Sequence, residues 1–250
     1  VSEHGKPWLS RAETRALVAR LRPTRLLLRA CGEIGQGSPL GREALTVLAA
    51  NAAILALALI RGLALAELLW FFFAQSLFQF LLTLRRIRHL TRADPSGFRL
   101  PPELPAERAL VGLKVFLGIA LALAGGFAHW IYATMLLAIT AGWPTGNPSL
   151  AWLMLGILLI QSLLGHRRQL AEDRAQPPLL AALLITPFVA LVFVQGTILL
   201  GALLGAGAAG TIAILLLKTA FELASLDFER ELAAVLRQAE AARAGRAMRP

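Results

Sequence analysis

A single cysteine, Cys31, stands among 250 residues. It excludes an internal disulfide, and without a CxxC or Cys/His cluster the structural zinc motifs are excluded too. Cys31 reads as a small apolar residue. Charge is scarce as well: 16% of residues carry it, against roughly 25% in an ordinary soluble domain, which excludes a solvated globule. Negative charge is the scarcer kind, with 15 Asp and Glu against 25 Lys and Arg. The first 43 residues contain no apolar run of signal-peptide type, so no cleaved export signal is expected and the first span would do the targeting. No HExxH, GxSxG or Ser/His/Asp set appears, so the common hydrolytic chemistries lack their residues.

What is present is apolar and basic at once. Hydrophobic residues make up 57% of the chain and the formal net charge is +10, with a mean hydropathy of +0.65 and a pI near 11.4. The two kinds of residue must be segregated. The basic residues fall in short blocks between apolar stretches, without a recognition motif or aromatic interleaving, so nucleic acid is not the expected partner.

A bilayer core about 30 Å thick takes about 20 apolar helical residues. Six segments qualify, at about 44–60, 64–84, 110–140, 149–165, 179–203 and 207–226. The first two form a hairpin broken near Arg61 and Gly62. The loops test this count, because cytoplasmic loops are enriched in Lys and Arg. Eight basic residues precede the first span, six lie in 85–108, three in 166–178 and five in the tail. The intervening turns carry only Arg61, and GWPTGNPS carries none. Lys114 and Lys218 fall inside predicted helices. The alternation predicts an all-α, six-helix bundle in a bacterial inner membrane with both termini cytoplasmic. Trp130, Trp143 and Trp152 fall at the outer face, Trp70 deeper and Trp8 on the cytoplasmic side.

The remainder forms two flanking regions, 1–43 and 227–250. In SRAETRALVARLR, Ser10 and Glu13 fit a capping box, and Leu17, Val18 and Leu21 make an apolar stripe opposite Arg11, Arg15, Arg20 and Arg22 until Pro23. A basic amphipathic helix of this kind lies on anionic headgroups or docks on a protein. DFERELAAVLRQAEAARAG extends the last span as a helix, with Phe228, Leu232, Val235 and Leu236 at helical spacing, and would pack on the cytoplasmic loops or a partner.

Ionisable groups at membrane depth are the default candidates for function. Lys218 and Glu222, four residues apart, share a helix face and form an intramembrane ion pair. Either Glu222 neutralises Lys218 while it snorkels to an interface about 12 Å away, or the pair serves a proton or ion path or a partner contact. Lys114, one turn inside its span, is expected to snorkel. His129 could take a single-ligand pigment or a headgroup, though an interfacial hydrogen bond is the simpler role. A bis-His haem would need a second histidine at similar depth, and His4, His89 and His166 lie elsewhere. No cofactor or metal is therefore predicted. Asn51, Gln75, Gln79, Gln161 and Gln195 are expected to lock helices together. Gly201 and Gly205 form a GxxxG packing signal, and Pro187, Gly125 and Gly126 can kink or thin their helices. No paired interruptions mark an inverted-repeat transporter.

The stretches TPFVALVFVQGTILLGALLG with LLLKTAFEL, ELLWFFFAQSLFQFLLTLRR and FAHWIYATMLLA resemble the helices of an uncharacterised, domain-of-unknown-function family of multi-pass prokaryotic membrane proteins, over roughly residues 44–226. The resemblance implies a family Glu where this chain has Gln75, and family histidines where it has Leu137 and Gln195. His129, Lys218 and Glu222 (an Asp in the family) keep their type. It thereby implies that any metal or proton site built on those residues is largely dismantled here.

The first expectation for function is accordingly an accessory membrane subunit without catalysis, bound laterally to other integral membrane subunits. A small transporter or channel using Lys218 and Glu222 is the alternative, and a pigment or haem binder a further one.

Overall fold

A computed structural model describes the backbone of residues 11–62, 64–94, 106–140, 148–204 and 207–247. It is all-helical, with α1 Arg11–Arg20, α2 Pro23–Glu33, a 3-10 turn Ile34–Gln36, α3 Pro39–Arg61, α4 Leu65–His89, α5 Ala106–Thr140, α6 Pro148–Ala175, α7 Leu180–Leu204 and α8 Ala208–Ala247. Four helical segments among the described residues are long and apolar enough to cross a membrane: Pro39–Arg61, Leu65–His89, Leu110–Ala138 and Ala208–Gln238. Leu180–Val192 is a shorter apolar helix.

Local chemistry sets the boundaries. Ser38 caps α3, its Oγ accepting from the Gly41 amide at 3.0 Å, with Pro39 in the first helical turn. Gly62 closes α3 in the left-handed region (φ 61°), its amide donating to the Ala58 carbonyl. A side chain is disfavoured there, so the α3–α4 hairpin turns at the break expected from sequence. The predicted capping residue Ser10 lies outside the described residues. The helices run past the apolar segments because nothing stops them: α8, at 1.5 Å per residue, is about 60 Å long, so the expected last span and tail are one rod.

That rod organises the fold. α8 packs against α2, α3 and α7, while α4 packs against α5, α6 and α7. The main core joins Ile54, Leu68, Phe72, Tyr132, Leu136, Met154, Leu158 and Ile214 from five helices. The outer faces carry exposed apolar side chains such as Phe116, Leu123, Phe127, Trp130, Trp152 and Ile160. Trp70 departs from the aromatic belt: it is buried and meets Phe73 edge-on, with centroids 5.7 Å apart.

At the end of the bundle where α4 and α6 finish, Ala30 on α2 packs with Ala44, Val47 and Leu223. Leu179, Ala182 and Leu232 form a smaller cluster with Leu21 and Phe228. The two loops there are stitched together: the Asp94 amide donates to the Pro178 carbonyl at 2.9 Å and the Leu180 amide to the Asp94 carbonyl at 3.1 Å. This end carries most of the described basic residues and is called the basic end below.

Candidate functional site

The helical repeat puts Lys218 and Glu222 on one face of α8, and their charged atoms are 2.7 Å apart. Lys218 is 7% exposed. Its Nζ donates to Asn51 Oδ1 at 3.0 Å and sits 4.9 Å from the Phe72 ring centroid. Asn51 Nδ2 donates in turn to Glu222 Oε2 at 2.6 Å, and Gln75 Nε2 to Oε1 at 3.0 Å. Glu222 thus neutralises Lys218, and carboxylate, amide and aromatic partners from α3, α4 and α8 surround it within the bundle. Lys114 likewise has a protein acceptor, the Leu90 carbonyl at the end of α4, at 2.6 Å.

His129 is buried on α5. Its Nδ1 lies 2.8 Å from the Gly125 carbonyl, which can only accept, so Nδ1 carries the proton. In the neutral ring Nε2 is then the acceptor for Ser76 Oγ, 3.2 Å away. Both ring nitrogens are engaged, and the ring lies against Phe80 with centroids 5.1 Å apart. Gly125 makes room for this, since a Cβ there would stand 2.2 Å from the Phe80 ring. An iron or magnesium ligand at His129 would first have to displace Ser76.

Near the basic end, Arg86 on α4 forks onto two carboxylates. Its Nε and Nη2 reach Asp173 on α6, both at 2.7 Å, and its Nη1 and Nη2 reach Glu229 on α8 at 2.9 and 2.8 Å. Arg230 pairs with Glu172, while Glu43 stands 3.9 Å from Arg230 and 4.0 Å from Arg168. From sequence Arg86 counts only as loop charge. The missed signal is its phase: Gln75, Gln79, Leu82 and Arg86 recur every three or four residues, placing Arg86 on the polar stripe of α4.

The amino-terminal helices also find partners within the chain. Arg20 Nη2 meets Glu231 at 2.7 Å, Arg29 meets Asp227 at 2.8 Å as well as Glu231, and Arg237 meets Asp94 at 3.1 Å. Arg20 and Arg29 thus tie α1 and α2 to the carboxylates of α8. Arg15, Arg22 and Arg25 remain exposed.

These groups surround a cavity of 280 Å³ bounded by α3, α4, α5, α6, α7 and α8. Its lining includes Lys218, Glu222 and Gln75, then Ser76, Gln79, His129, Gln161 and Ser162, and Glu43, Arg86, Arg168, His166, Glu172, Glu229 and Arg230. Gln79 Nε2 donates to Ser162 Oγ at 3.4 Å. Gln161 is 9% exposed and its Oε1 has no partner among the described residues; His166 Nδ1 is likewise buried without one among them. Four of the five amides expected to lock helices thus line this cavity or close its charge network; the Gln195 side chain lies outside what is described, as does Gly205 of the GxxxG pair, while Gly201 lies on α7. No group of three or more His, Cys, Asp or Glu suited to a metal ion occurs among the described residues.

The profile of a family of unknown function, DUF6498, matches residues 36–247. No curated protein and no solved structure matches the chain. The family match begins at the 3-10 turn before α3 and runs through α8, enclosing the whole cavity, and the chain belongs to DUF6498.

Proposed function

We propose that this protein is a small transporter or channel of the inner membrane, admitting a small polar solute to a vestibule that opens at its cytoplasmic end. The supporting observation is the 280 Å³ cavity with Lys218, Glu222, Asn51 and Gln75 among its walls and nearest neighbours. Pockets of this kind, concave with a few convergent polar groups, are the usual places of ligand binding. Polar walls are costly beside acyl chains and become useful when they line an aqueous path.

In this reading α3 to α8 are six spans with both termini cytoplasmic. The four long apolar segments supply part of the count, and the alternation of basic loops supports the rest. The Lys218 and Glu222 pair is the polar floor of the path. The accessory-subunit reading comes second. Its support is the exposed apolar face of α5, including the stacked pair Phe127 and Trp130 with centroids 5.9 Å apart, a face that lipid also covers well.

The test is osmotic swelling of proteoliposomes in isosmotic glycerol, urea or alkylammonium chloride. The wild-type protein should swell faster than protein-free vesicles in at least one of these. A Ser162→Trp variant, filling the cavity, should swell at the protein-free rate while remaining monodisperse. Rates equal to those of empty vesicles in every solute would refute the proposal.

A further inference from the structure

We infer that the cavity selects a small organic cation bearing N–H donors, of alkylammonium or guanidinium type, with Glu43 as its counter-ion and Gln161 as a hydrogen-bond acceptor. The inference rests on the vestibule reading and names its ligand class.

The argument follows the direction of each wall hydrogen bond. Thr46, Thr83, Ser162, Thr186 and Ser225 each place their hydroxyl 2.8, 3.0, 2.9, 2.8 and 2.8 Å, respectively, from a backbone carbonyl of their own helix. A carbonyl only accepts, so each hydroxyl has committed its single proton and retains only lone pairs. Gln161 Oε1, also only an acceptor, is buried with no partner among the described residues. Leaving such an atom unsatisfied is costly, so it marks a place for a donor.

Three cationic donors of the wall are already engaged. Arg86 is held by Asp173 and Glu229, Arg230 by Glu172, and Lys218 by Glu222 and Asn51. Glu43 is different. It is 8% exposed, and its cationic neighbours Arg230 and Arg168 lie at 3.9 and 4.0 Å, beyond hydrogen-bond reach. The wall therefore offers spare acceptors and a carboxylate that two guanidinium groups flank without hydrogen-bonding, which leaves its oxygens open to a cation that donates. A bare alkali ion fits less well: it would occupy a small part of 280 Å³ and make no use of the unpartnered His166 nitrogen.

The experiment is thermal unfolding of the full chain in detergent with n-butylammonium, methylguanidinium, tetramethylammonium, potassium or acetate at low millimolar concentration. The first two should raise the midpoint and the last three should not, because tetramethylammonium has the charge without the donors. Glu43→Gln and Gln161→Leu should each weaken the apparent affinity for n-butylammonium by about tenfold. If either variant fails to fold, the wild-type comparison among the five ions still decides. Equal stabilisation by tetramethylammonium or potassium overturns the donor argument, and stabilisation by acetate alone overturns the cation class. If no ion binds yet vesicles swell, the ligand class is wrong and the vestibule stands; if neither occurs, both fall.

Discussion

Asn51 on α3 donates to Glu222 on α8 at 2.6 Å while its carbonyl oxygen accepts from Lys218 at 3.0 Å, so one amide holds both members of an ion pair. The three side chains form a closed ring that ties the first apolar helix to the last. Asn51→Leu opens it and should cost about 1–3 kcal/mol by leaving charged groups short of partners. Lys218→Leu alone should cost more, about 3–5 kcal/mol, because Glu222 is left uncompensated, whereas Lys218→Leu with Glu222→Leu should lie close to wild type. Thermal unfolding in detergent measures all three, and a double variant no better than Lys218→Leu would break the argument.

Arg86 clamps α4 to α6 and α8 through Asp173 and Glu229. Its planar fork serves two carboxylates at once, which a single ammonium cannot reproduce. Arg86→Lys and Arg86→Ala should therefore both lower the unfolding midpoint, with Arg86→Lys recovering less than half of the loss. Full recovery by lysine would show that charge alone suffices.

Gly125 and Gly126 are neighbours with opposite surroundings. A Cβ at Gly125 would meet the Phe80 ring at 2.2 Å, and one at Gly126 meets nothing within 4 Å. Gly125→Ala should destabilise by about 1–3 kcal/mol through overpacking, while Gly126→Ala should be neutral or stabilise by up to about 1 kcal/mol from helix propensity. Similar midpoints for the two would mean that α4 and α5 are not packed this closely.

His166 follows the expected fourth span, and its pKa lies below the ordinary 6.5. Burial is the main cause, followed by the positive charges of Arg86 and Arg85. Since the folded state disfavours the imidazolium, stability is complete above pH 6.5 and falls as pH drops below 6.5 toward the depressed folded value. His166→Gln should remove that part of the pH dependence. Lowering the pH from 7.5 to 5 should depress the wild-type midpoint more than that of His166→Gln, and parallel curves would sink the assignment.

Orientation has its own check. Alkaline phosphatase fused after Gly146 should be active, and fusions after Ser96, Gln176 and Pro250 inactive. Activity at Gln176 would reverse the reading of the basic loops.

The sequence alone determined the helical class, the hairpin break at Gly62 and the proximity of Lys218 to Glu222, because each depends on short-range rules: hydropathy over a helix length, a left-handed cap and a four-residue repeat. Tertiary structure decided what those groups face. Whether Lys218 reaches an interface or stays inside depends on Asn51 and Phe72, which lie some 150 residues away in the chain. Arg86 looked like one more loop charge until Asp173 and Glu229 came to meet it from two other helices. The cavity beside Glu43 and Gln161 belongs to no single helix, so no local pattern could announce it. Composition fixed how much polarity the bundle carries, and packing decided that much of it surrounds one cavity.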